Sequence, residues 1–117
     1  SSKDPEMLRM DVRRAEANLC LENFEEAKKY GKISAAHPIT TWPSFTVLIS
    51  SLGHLGELSE VESVLAKMKN RISSTPEFDC APEEIINFAF VKNTLPFIDN
   101  KFAEIYLAGL QKASFPV

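Results

Sequence analysis

Cysteine is scarce in this chain: of 117 residues only Cys20 and Cys80 are cysteines. They form no CxxC motif and have no Cys/His spacing, which excludes a zinc finger and a disulfide framework. Both read as buried or idle thiols. Glycine occurs four times and never as a Gly-rich loop, so there is no phosphate cradle. Long apolar runs are missing as well. The stretch 85–91 is among the longest and is far too short to span a bilayer. A basic excess is absent: 13 Lys and Arg face 16 Asp and Glu, for a net charge of -3 and a pI near 5.4. That balance argues against nucleic acid, whose phosphates select clustered cations. The first residues, Ser1 to Glu6, are polar and acidic and show no signal-peptide pattern, so the expected location is cytoplasmic. No stretch alternates with the period of a strand.

What is present is helical periodicity. Asp4-Pro5-Glu6 is a helix start: Asp caps, Pro suits the first turn, and Glu complements the dipole. Leu8, Val12, Ala15 and Leu19 then recur at helical spacing. Asn23 is the expected cap of a second helix, with Phe24, Ala27, Tyr30 and Gly31 as its inner stripe. Ala27 and Gly31 are small enough for a neighbouring helix to come close. Thr40 or Thr41 should cap a third helix striped by Phe45, Leu48, Ile49 and Leu52. Gly56 suits the left-handed turn after it. Leu58, Val61, Val64, Leu65 and Met68 stripe a fourth. After the loop 73–82, Ile85, Ile86, Phe88, Ala89 and Val91 make a fifth helix that is apolar nearly all round. Asp99 is the expected cap of a last helix striped by Phe102, Ile105, Tyr106 and Leu110. Gly109 stands oddly inside it, where another backbone could come close.

The first two helix pairs repeat one another. Phe24 falls on Leu58 and Ala27 on Val61 at an offset of 34, while Ala15 falls on Leu48 and Leu19 on Leu52 at 33. The first turn therefore reads as one residue shorter than the second. The expected fold is all-α, a short solenoid of antiparallel helix pairs with about six helices. It is a single domain over 1–117, with repeats at about 4–38 and about 40–73. A degenerate third pair and capping helix follow at about 81–114. A two-repeat array is short, so the chain is expected to be a piece of a longer protein. Leu19, Phe24, Leu52, Leu58 and Phe88 are expected near the shared core, with a cost of about 2–5 kcal/mol for Leu58→Ala.

The second unit, with Trp42, Phe45, Leu48, Leu52, Gly56, Leu58, Val61, Leu65 and Met68, resembles the tetratricopeptide repeat. Its departures are Val61 and Met68 where that repeat usually has Ala. The first unit lacks the turn glycine, having Glu22. The C-terminal stretch resembles the end of bacterial adenylate cyclase-type signalling proteins. The matching segments are Pro76-Glu77-Phe78, Leu95 to Asp99, and Leu107 to Pro116, departing at Ile98, Ser114 and Phe115. This resemblance implies a repeat region that follows an output domain. It places no cyclase residue here. The segment 43–72 also resembles a pentatricopeptide repeat, which implies the alternative of RNA binding at about one base per repeat.

No catalytic constellation emerges from the residues, and no cofactor or metal is expected. His37 and His54 each stand alone at a helix end, where a capping or surface role is the expected one. Asp79, Glu83 and Glu84 beside Cys80 would raise a thiol pKa rather than activate it. Ser50, Ser51 and His54 lack a third member for nucleophilic chemistry. Arg9, Arg13 and Arg14 are diluted by Glu6, Asp11 and Glu16 and read as a solvated face. The expected function is a non-catalytic scaffold for a protein or peptide partner, another domain of the parent chain, or a second copy, with neither nucleic acid nor membrane as partner. Arg13, Asn18, Thr46 and Ser50 are the candidate binding residues, from the first helices of each repeat on the open face. Trp42 is a further candidate anchor.

Overall fold

The computed structural model describes residues 4–77, 79–95 and 100–117. Among them the chain forms seven helices and no strand. They are α1 Pro5–Cys20, α2 Phe24–Ala35, α3 Trp42–Leu55, α4 Leu58–Ser73, α5 Pro82–Ile85, α6 Phe88–Thr94 and α7 Asn100–Lys112. The all-α class agrees with the periodicity. No described helix is long and apolar enough to cross a membrane. Phe78, Pro96, Phe97 and the expected cap Asp99 lie outside the described residues.

Side-chain caps start some of the helices and not others. Asp4 Oδ1 accepts from the Glu6 N–H at 2.9 Å and caps α1. Asn23 and Thr41 occupy the cap positions of α2 and α3, but neither side chain makes the cap bond. The expected fifth helix is two helices. Asn87 adopts extended backbone, and its side chain accepts from the Phe90 N–H at 3.1 Å. An asparagine that can cap a new helix competes with continuing the old one, and here the cap wins. The chain end returns to the same place: the Phe88 N–H donates to the Pro116 carbonyl at 2.7 Å.

The turns after α1 and α3 are equivalent residue for residue. Glu22 has φ 61 and Gly56 has φ 71. The Asn23 N–H reaches the Asn18 carbonyl, and the Glu57 N–H reaches the Leu52 carbonyl, the same bond 34 residues on. The apparent one-residue difference between the turns is therefore corrected: no residue is missing. Glu22 simply adopts the left-handed conformation that Gly56 takes without a side-chain penalty.

Short turns make α1/α2 and α3/α4 antiparallel pairs, with α3 at the centre of the molecule. Every residue from Ser44 to Gly53 is buried. Gly31 lets α2 approach α3 closely, as a Cβ there would lie 3.1 Å from the Leu48 Cβ. Leu19, Ile49, Leu52, Met68 and Leu110 are fully buried in one core, each worth roughly 1.5–3 kcal/mol by removal from water. Two ion pairs tie the second helices together: Lys28 to Glu57 at 2.9 Å and Lys32 to Glu60 at 3.0 Å. Both numbers rise together, so α2 and α4 run parallel.

A third repeat does not continue this pattern. α7 packs on α3 and α1 rather than on α4. The extents, 34 × 33 × 31 Å, are nearly equal in all directions, unlike an open-ended array. This explains the clearest miss in the core. Leu58 is 51% exposed. Its counterpart Phe24 is covered by His54 of the next pair, with ring centroids 4.2 Å apart. Among the described residues no third pair covers Leu58 in the same way. Leu19 and Leu52 are fully buried as expected, while Phe24 and Phe88 pack against the core from its edge. Leu52→Ala should cost about 2–5 kcal/mol in a denaturant titration. Leu58→Ala should stay within about 0.5 kcal/mol, which corrects the larger cost expected from the repeat pattern.

Candidate interaction surface

The face of α1 and α3 that a partner was expected to meet is covered by the chain's own α7. Thr46 and Ser50 are fully buried beneath it. The Ser50 hydroxyl donates to the Tyr106 carbonyl at 2.8 Å. The Thr46 hydroxyl donates to the Pro43 carbonyl at 3.2 Å, so its oxygen accepts from the Tyr106 hydroxyl at 2.6 Å. One turn further, Gly53 and Gly109 bring the two backbones together. His54 Nε2–H donates to the Ile105 carbonyl at 2.6 Å, which leaves Nδ1 to accept from Lys112 at 3.4 Å. Contacts advance along both helices together, so α7 runs parallel to α3. The small polar residues of α3 are thus docking residues, and their expected place on an open face is corrected.

The other candidates are scattered. Asn18 is half-buried, and its amide donates to the Arg14 carbonyl at 2.8 Å, a local bond at the end of α1. Trp42 is half-buried and meets Phe90 edge-on at 5.6 Å. Arg13 is exposed beside a groove of about 380 Å³ whose apolar lining includes Leu8, Val12, Ile39 and Pro43. Glu16 shares that groove. Burial raises its carboxyl pKa above the ordinary value, and Arg13 pulls it part of the way back. The structure therefore does not gather Arg13, Asn18, Trp42, Thr46 and Ser50 into one surface.

Sequence reasoning missed a buried pair. His37 and Asp11 are each 7% exposed, and His37 Nε2–H donates to Asp11 Oδ2 at 3.1 Å. The surface role expected for His37 is thus corrected, as is that of His54, which is half-buried against Phe24 and α7. The available signal was Asp11 itself. It lies three residues after Leu8 and four before Ala15, a carboxylate inside an apolar stripe.

An open channel does exist on the other side of α3, between α2 and α4. Two adjoining hollows of about 340 and 360 Å³ share Ala35, Phe45 and Lys67. The floor is Phe45, Leu48 and Val64, with Ala35 and Ala36 as a low wall. Lys32, Lys67 and Arg71 supply cations, and Glu60 is the one carboxylate lining it among the described residues. Lys32 is taken up by Glu60. Arg71 Nη1 donates to the Pro38 carbonyl at 2.9 Å. Lys67 has no ion pair among the described residues.

Two groups make the fold sensitive to alkali. Burial pushes the Tyr106 phenol well above the ordinary 10.0, and the hydrogen bond to Glu57 raises the Lys28 ammonium above 10.5. Both folded-state pKa values are raised. Their contribution to stability is complete below the unfolded values and is lost as pH climbs through the folded ones. Absorbance titration of the two tyrosines should show Tyr106 ionising only together with loss of helical circular dichroism. Reversible ionisation of both tyrosines in the folded chain would contradict the burial of Tyr106.

Among the described residues no cluster of His, Cys, Asp and Glu could hold a metal ion. Comparison with models of known families, with curated proteins and with solved structures finds no match to this chain.

Proposed function

We propose that this chain is a non-catalytic interaction module whose partner-binding surface is the channel between α2 and α4. The observation that carries the reading is the division of labour around α3. Its α1-side face is filled by α7, while its α2/α4 side leaves an elongated channel with an apolar floor and polar walls. Concave apolar surfaces with a few placed polar groups are where ligands settle. In this reading the module sits in a longer cytoplasmic signalling protein of adenylate cyclase type. The tail that carries that resemblance, Leu107 to Pro116, forms the end of α7 and its closing turn. Its role is then to close the helix stack, and its partner is a protein or another domain of the parent.

Site-specific photo-crosslinking tests this. A photoreactive residue at exposed Ser63, in the channel, should yield discrete adducts in cells, and one at exposed Ala17 on α1 should not. Adducts at Ala17 with none at Ser63 would overturn the reading. Tight, salt-sensitive retention of single-stranded RNA would favour the pentatricopeptide-like alternative instead.

A further inference from the structure

We infer that the α2/α4 channel takes a short, extended, acidic segment of a partner protein; this rests on the reading of that channel as the binding surface. Charge is the first argument. The chain as a whole is net negative, yet among the described residues the lining of this channel holds three cations and one carboxylate. Because Lys32 and Glu60 neutralise each other at 3.0 Å, the remaining charge is Lys67 and Arg71. They lie four residues apart on α4, hence on one face and one turn from each other. An anionic side chain laid there meets Lys67 directly and the guanidinium N–H groups that Arg71 has not given to Pro38.

Shape is the second argument. The Lys28–Glu57 and Lys32–Glu60 pairs bridge α2 and α4, and the second of them lies at the start of the channel. Beyond them the wall drops to Ala35 and Ala36. From Glu60 to Ser74 the channel follows α4 for roughly 21 Å at the helical rise of ~1.5 Å per residue. An extended chain covers that length in roughly six residues at ~3.3 Å each. The segment therefore alternates: aliphatic side chains turn down onto Val64 and the alanines, and carboxylates turn toward α4.

The probe is a short fluorescein-labelled peptide of alternating glutamate and leucine, titrated by anisotropy against the full chain. A peptide with lysine in place of glutamate is the control. The acidic peptide should bind at least about tenfold more tightly than the control, with affinity falling as salt is raised. Lys67→Glu combined with Asn70→Glu should reduce its binding by at least about tenfold. Both positions are exposed, and neither side chain makes a hydrogen bond or ion pair among the described residues, so circular dichroism should be unchanged. Equal binding of the two peptides, or no effect of the double variant, overturns the inference. Crosslinking at Ser63 separates the two levels. Adducts at Ser63 without acidic-peptide binding would sink the acidic partner alone, and loss of both would sink the channel as well.

Discussion

Gly53→Ala should destabilise the protein by about 3 kcal/mol, although alanine is the better helix former by ~1 kcal/mol. A Cβ on Gly53 would lie 1.9 Å from the Gly109 carbonyl oxygen and 2.9 Å from its carbon. These are backbone atoms and cannot rotate aside, so α7 must lift away from α3. Lifting α7 breaks the Ser50, Thr46 and His54 hydrogen bonds together. Gly109→Ala should act in the same direction, since its Cβ would meet the Ser50 carbonyl at 2.4 Å. Gly56→Ala is the control. It meets nothing within 4 Å and suffers only from its φ of 71, a cost of roughly 1–2 kcal/mol. Urea midpoints with unchanged slopes would give all three values. Stabilisation by Gly53→Ala would mean that helix propensity alone operates there, and α7 would then lie elsewhere.

Asp11→Ala should cost about 2–4 kcal/mol at neutral pH, because it leaves the buried His37 without its carboxylate acceptor. The pair joins α1 to the end of α2 across 26 residues of chain. Asp11→Asn keeps an acceptor oxygen and should cost clearly less than the alanine variant. Arg14, 3.9 Å from Asp11 and half-exposed, adds little. A denaturant series in which Asp11→Ala moves stability by under about 0.5 kcal/mol would remove this pair from the account.

The helices were legible because their stripes and turn residues are local. Asp4 and Gly56 each report on a few neighbouring residues, and the structure agrees with them. Gly109 was legible as an anomaly, though its partner Gly53 was not. The larger misses are matters of what packs on what. Leu58 has the right spacing for a core residue, but only a following helix pair could bury it. Thr46 and Ser50 look like surface hydroxyls until α7 is laid across them. Asn87 carries both helix and cap character, and only tertiary packing, including the bond from Phe88 to Pro116, decides for the cap. Of the surface proposed for binding, no part was singled out by the sequence. Lys32, Lys67 and Arg71 come from two helices that converge only once α3 is inserted between them.

The central claim is that α7 fills the α1/α3 face and leaves the α2/α4 side of α3 open. Nuclear Overhauser contacts in the free protein test it most directly. The account predicts cross-peaks from the Tyr106 ring to the Thr46 methyl and between the α-protons of Gly53 and Gly109. Cross-peaks from the Tyr106 ring to α4 residues such as Val61 or Leu65, with none to Thr46, would contradict it.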